Sequence, residues 1–214
     1  MSQIQSNLSR ILILLLLAPA CKKKSANLPY YNSADFTPIF ISSEEAKKEI
    51  THTINDFSFK NQDNKLVTQK EIENKVHIAS FIFTTCGSIC PTMTTNLKRI
   101  ETDHGTNSNV VMLSYSVTPW IDSVPVLKKY QEKHEIKTRN WHFLTGSKDE
   151  IYKLARNSYF AEENIGLQKD SSDFLHTEHI ILVDRDKRIR GIYNGTLKLE
   201  IIQLSKDVDA LLKE

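Results

Sequence analysis

Cysteine, glycine and tryptophan are all scarce in this 214-residue chain: three, six and two residues respectively. With so few glycines there is no G-x-G-x-x-G phosphate loop and no internal repeat. Charge of either sign is also unremarkable. A net charge of +2, with lysines and acids interspersed, provides no basic stripe or aromatic ladder and argues against a nucleic-acid partner. Long apolar runs are missing too. The run Ile11 to Leu17 is too short to span a bilayer comfortably. The length suits one domain with extensions and is enough to bury a sizeable core.

The first twenty residues read as an address. Arg10 precedes Ile11 to Leu17, then Ala18-Pro19-Ala20-Cys21 follows. A positive start, a short apolar run and small residues before a cleavage point make a secretory signal. A cysteine just after the small residues resembles a bacterial lipobox, although Leu17 stands one position too far from it and Pro19 is atypical there. The reading favoured is a lipoprotein signal over residues 1–20, lipidation of Cys21, and a tether and lead-in over 21–49. An uncleaved anchor and a cleaved soluble protein are the alternatives. In each case the folded part, residues 50–214, is expected in an extracytoplasmic, oxidising space.

Within that part the pattern predicts strands alternating with helices. Ile54 to Phe59 and Leu66 to Thr68, around the turn Asn61 to Asn64, predict an N-terminal hairpin. Glu44 to Lys48 is polar and shows no clear pattern. Gln69 to Asn74 reads as a short helix or turn. Val110 to Val117, Trp141 to Thr145 and His179 to Asp184 read as strands. Ile189 to Tyr193 is the hairpin mate of the last strand, and Leu199 to Lys213 is a closing amphipathic helix. Asp122 or Ser123 is the expected cap of a helix running to His134. Ser147, with Glu150 three residues on, is the expected capping box of the next. Asn157 to Ser172 reads as a polar surface loop. The fold class is therefore α/β, a thioredoxin-like order with a mixed central sheet flanked by helices.

One stretch organises the chain: Val76-His-Ile-Ala-Ser-Phe-Ile-Phe-Thr-Thr-Cys86-Gly-Ser-Ile-Cys90-Pro-Thr-Met93. It starts as a strand buried on both faces. It turns through Thr84 to Gly87 into a helix carrying Pro91 in its first turn, where a missing N–H costs little. Cys86 and Cys90 are four apart, which puts both sulfurs on one face if the backbone there is near-helical. Free cysteines are often inert core residues. Two of only three falling together at a strand–helix junction argues for chemistry. A helix N-terminus also favours thiolate over thiol.

Two thiolates suit Cu(I); an added imidazole suits Cu(II) as well, and mixed sets also suit zinc. The candidates for that imidazole are His52, His77, His104, His134, His142, His176 and His179. His77 and His142 lie in strands, His104 and His134 near helix ends, and His52 in the lead-in. His176 and His179 lie where a loop enters a strand, a position from which scaffolds present functional groups. Spacing alone leaves His176 open between a ligand and a capping or surface role.

Phe81-Ile-Phe-Thr-Thr-Cys86-Gly-Ser-Ile-Cys90-Pro91 resembles the C-x-x-x-C-P signature of the Sco/SenC family of copper-binding thioredoxin-like proteins. Phe174-Leu-His176-Thr177, with the strand and Asp184-Arg-Asp-Lys-Arg-Ile-Arg-Gly191 beyond it, is similar to that family's histidine segment and hairpin. Ser116-Val-Thr-Pro-Trp-Ile-Asp122-Ser123 is similar to its acidic loop; Asp122 matches the second aspartate, while Thr118 replaces the first. The resemblance covers about Ile50 to Leu212. It implies a copper site, Cu(I) or Cu(II), on Cys86, Cys90 and His176. It also implies copper delivery to, or cysteine reduction at, the dinuclear copper centre of cytochrome c oxidase or another copper or thiol acceptor. Membrane contact would be through the lipid on Cys21. A metallochaperone is favoured over a turnover enzyme. The alternative is an extracytoplasmic thiol–disulfide oxidoreductase, although such enzymes generally carry C-x-x-C. A peroxidase would be expected to have a proline just before Cys86, and none is there.

Overall fold

The computed structural model describes residues 28–161 and 177–214. Nine strands form one mixed sheet in the order β2-β1-β9-β8-β5-β6-β7-β3-β4. Its centre is β5 (Val76–Ile82), paired in parallel with β6 (Val110–Ser116) from Val76↔Val110 to Ile82↔Ser116. β7 (Trp141–Thr145) continues the parallel set. On the other side of β5, β8 (His179–Val183) and β9 (Ile189–Asn194) are antiparallel.

Every residue of β5 and β6 is buried, because both faces of the sheet are covered. The period-2 alternation sorts their side chains. Val76, Ile78 and Ile82 pack with Met93, Leu97 and Ile100 of α2 (Ile89–His104) and with Leu204 and Val208 of α5 (Lys198–Leu211). Ala79 and Phe81 face the opposite layer, with Phe57, Phe59, Tyr115, Tyr159 and Ile151 of α4 (Lys148–Asn157). In the buried sheet, polar groups satisfy one another: Ser80 Oγ lies 2.7 Å from Ser114 Oγ, and Trp141 Nε1 donates to Ser114 Oγ.

The expected hairpin is β3 (Ser58–Asn61) with β4 (Leu66–Thr68), and β3 pairs antiparallel with β7. The lead-in joins the other edge. β1 (Tyr30–Tyr31) pairs with β2 (Pro38–Ile39) and with β9. The polar stretch that showed no clear pattern is a helix, α1 (Ser43–Glu49), started by a full capping box between Ser42 and Glu45.

Three expectations are corrected. Ser147 occupies the N-cap of α4 but makes no side-chain cap bond. Ser123 likewise starts α3 (Val124–Lys133) without one, and Asp122 turns inward rather than capping it. Asn157 ends α4 rather than opening a polar loop, and Ser158, Tyr159 and Ala161 are buried; the rest of the expected loop, 162–172, lies outside the described residues. Tyr159 is buried because its phenol meets Tyr115 Oη at 3.1 Å and His77 Nε2 at 3.2 Å. Burial and the charge of Lys187 hold His77 neutral, with a pKa of about 3.

Candidate metal centre

The C-terminal ends of β5 and β6 lie side by side, tied by Val117 N–H donating to Ile82 O. From there the chain runs through Phe83 to Ser88 into α2. A turn closed by Cys86 N–H to Phe83 O, 3.2 Å, brings Cys86 back over the helix start. Ser88 is the N-cap residue but offers no side-chain oxygen to the first turn. Cys86 takes that role. Its Sγ accepts the N–H of Cys90 at 3.4 Å, one of the donors a helix leaves without an intrahelical partner. Pro91 has no N–H to satisfy.

The two sulfurs are thereby made unequal. Burial works against a Cys86 thiolate, but the N–H groups of Cys90, Ser88 and Ile89 and the Cys90 thiol outweigh it and hold its pKa below the ordinary thiol value. Cys90 is buried among Ile82, Met93 and Tyr130. Burial, then the negative charges of Cys86 and Asp122, push its thiol up to about 12, although the N–H of Phe83 offsets part of this. Both cysteines are free. A Cβ added at Gly87 would meet nothing within 4 Å, so the loop faces open space at the residue after Cys86. A cavity of about 740 Å³ lined by Asn55, Phe59, Gln69, Glu150 and Lys153 includes neither cysteine. The site is a half-buried thiol at a loop, with its buried partner behind it.

Sequence reasoning missed the group beneath this loop. Asp122 is 0% exposed, and its carboxylate accepts from Thr84 N–H (3.2 Å), Ser116 Oγ (2.6 Å), Thr118 Oγ1 (2.9 Å) and the Thr84 hydroxyl. The signal was present: Thr84, Ser116 and Thr118 are hydroxyls at the ends of two buried strands. Only their pairing shows that they converge.

The described histidines do not complete the centre. His52 Nε2 bonds Ser158 O at 2.8 Å and its ring stacks on Phe160. His104 Nε2 meets Ser205 Oγ, and His142 Nδ1 meets Asn61 Nδ2. The His134 ring lies tilted against Tyr130. His179 opens β8, with its N–H on Thr177 Oγ1. Among the described residues, no three His, Cys, Asp or Glu side chains gather so that they could hold a metal ion. His176 and Cys21 lie outside the described residues. Thr177, which follows His176 in the chain, precedes the start of β8. The antiparallel register Ala79↔Ile181 puts that start at the cysteine end of β5. As a donor set, the two free thiols fit a soft cation such as Cu(I).

Comparison with known proteins follows the same residues. The family model described as SCO1/SenC matches residues 45–213. A SCO1/SenC family lipoprotein from Bacillus anthracis str. Ames is similar, with a TM-score of 0.64 and 27% identity over 78% of this chain and 98% of that one. BsSco, a member of the Sco family of cytochrome c oxidase assembly proteins in which a disulfide switch was identified, gives 0.62 and 31% over 75% and 93%. Arabidopsis thaliana ScoI with copper bound gives 0.55 and 26% over 74% and 97%. The mixed sheet with flanking helices is the thioredoxin-like fold of these neighbours. Among the described residues, no helix is long and apolar enough to cross a membrane.

Proposed function

Because the chain belongs to the SCO1/SenC family, whose model spans residues 45–213, we propose that it is a copper-binding assembly factor. It holds copper on Cys86, Cys90 and His176. It delivers copper to, or reduces the cysteines of, the dinuclear copper centre of cytochrome c oxidase. One observation carries this reading: two free thiols share a helix start, with the Cys90 N–H on Cys86 Sγ. Bound there, copper is the cargo. Two thiolates hold Cu(I) and an imidazole extends the set to Cu(II). The remaining work belongs to the chain. The open face at Gly87 lets an acceptor sulfur reach Cys86, and the buried Cys90 keeps the second thiol from solvent. Residues 1–20 direct the chain across a membrane and Cys21 carries the lipid, in keeping with the lipoprotein from Bacillus anthracis.

The unequal thiols favour a second use of the same pair. The Cys86 thiolate attacks one sulfur of an acceptor disulfide, forming a mixed disulfide and releasing the other as thiolate. Cys90 then attacks Cys86 Sγ, its proton passing to the departing sulfur. The acceptor gains two electrons and the chain is left with a Cys86–Cys90 disulfide.

Copper titration of the reduced Cys21→Ser chain, read by optical and EPR spectra, tests the reading. One equivalent of Cu(II) with a thiolate charge-transfer band is expected. The band should be lost in His176→Ala, and tight binding lost in Cys86→Ser and in Cys90→Ser. No stoichiometric copper, with a readily cycled disulfide, would leave only the oxidoreductase. Alkylation against pH tests the asymmetry: Cys86 should react below the ordinary thiol range, and Cys90 should stay protected until about pH 12.

A further inference from the structure

The latch under the cysteine loop has no role in the chemistry described so far. We infer that Asp122 is a positioning residue for the dithiol, fixing Cys86 through Thr84 and setting the Cys86/Cys90 reduction equilibrium with a buried charge that no cation among the described residues neutralises. The inference rests on the dithiol reading and on three observations.

The first is convergence. Both the N–H and the hydroxyl of Thr84 donate to Asp122, and so do the hydroxyls of Ser116 and Thr118. The carboxylate thus clamps the residues that leave β5 to those that leave β6. The second is leverage. Thr84 stands two residues before Cys86, inside the turn closed by Cys86 N–H on Phe83 O. Where Thr84 is held, the path of the turn is held, and with it the placing of Cys86 Sγ on the Cys90 N–H. Asp122 is itself held from behind, because its own N–H and that of Ile121 both bond Thr118 O.

The third observation is charge. Among the described residues no lysine, arginine or histidine pairs with Asp122; its partners are neutral dipoles. Dipoles stabilise the carboxylate and weaken its field in part, without cancelling it. The carboxylate bonds Thr84, two residues before Cys86, so its charge lies beneath the loop that carries the sulfurs. The reduced pair carries more negative charge than the disulfide, so an anion beside it disfavours the dithiol and makes the pair more reducing. Thr118 belongs to this device: its hydroxyl is one of the four donors, so the residue there is a component of the latch rather than a gap in the acidic loop.

The test is a redox equilibrium of the metal-free full chain with glutathione, in which two glutathione molecules and the disulfide exchange with glutathione disulfide and the dithiol. Asp122→Asn keeps the size and removes the charge, since the three hydroxyls can reverse to suit an amide. It should shift the equilibrium toward the dithiol about tenfold, a rise of about 30 mV. Thr84→Val keeps the charge and cuts the hydroxyl link. It should shift the equilibrium and weaken copper binding about tenfold, the scale for groups that orient ligands. The double variant should shift the equilibrium no further than Asp122→Asn alone, because Thr84 acts through Asp122. Thermal melts identify any variant that fails to fold, and Thr84→Val then carries the test. An unmoved equilibrium in well-folded Asp122→Asn, or additive shifts in the double variant, would overturn the inference. A wild-type chain that binds no copper but shows these shifts would defeat the copper reading and leave this one standing.

Discussion

Two buried ions sit at opposite ends of the sheet, and they are buried differently. Asp122, at the cysteine end, is 0% exposed; Arg190, near the β8–β9 turn, is 2% exposed. Arg190 has all five donors engaged. Nε donates to Pro29 O and Nη2 to Leu28 O, while Nη1 and Nη2 reach Glu214 and Nη1 reaches Asp184. The ring of Tyr30 lies 3.9 Å beneath the guanidinium. Two carboxylates pair directly with the cation, and the result is a clasp joining the lead-in, the terminal hairpin and Glu214. Asp122 is satisfied equally well in hydrogen bonds, but among the described residues by neutral groups only. A buried charge that is cancelled is architecture; one that is satisfied but not cancelled projects a field. The cysteines lie at the end that projects one.

The largest effect expected from breaking this contrast is at the clasp. Arg190→Met strands two carboxylates and two backbone carbonyls, a loss of about 3–5 kcal/mol. In a chain of this size that lowers Tm by about 10 °C or more. The dithiol equilibrium of the folded fraction should not move. If it does, the two ends are coupled through the sheet and the division fails.

Asp122→Ala should show a smaller loss of stability with a larger chemical signature. It leaves a buried N–H and three hydroxyls without their acceptor, about 2 kcal/mol. Chemical denaturation measures that loss, and alkylation kinetics should show Cys86 losing its head start over an ordinary thiol as the turn loosens. A stable variant with unchanged alkylation would reduce Asp122 to a packing residue.

The sequence made the cysteines readable and hid both buried ions. Cys86 and Cys90 were legible because a buried strand, a turn and a proline-bearing helix start are local patterns, and β5, β6, β7 and the terminal hairpin fell where period and turn chemistry put them. Asp122 was misread as a helix cap because an aspartate just before a helix satisfies the local rule for one. Only the parallel register of β5 with β6 turns it toward Thr84. Arg190 was passed over because its partners, Leu28 and Pro29, lie some 160 positions away in the chain. Helix α1 showed no clear pattern because its burial rests on Ala46 alone and its start on a capping box. His176 and Cys21 rest on motif and resemblance, since they lie outside the described residues.

The finest division comes from two mild variants, one at each end. Thr118→Val removes one of the donors to Asp122, and Glu214→Gln removes one of the charges on Arg190 while keeping an acceptor oxygen. Each should cost about 1 kcal/mol or less: the first loses a single hydrogen bond, and the second changes a side chain that is 38% exposed. Denaturation alone would therefore not distinguish them. The glutathione equilibrium should. With one dipole fewer to stabilise the carboxylate, the Asp122 field at the sulfurs grows, so Thr118→Val should shift the pair toward the disulfide, opposite in sign to Asp122→Asn and less than tenfold. Glu214→Gln should leave it unchanged, because that side chain stands at the end of the sheet away from the sulfurs. Equal shifts in the two variants would mean that the equilibrium follows overall stability rather than the local field.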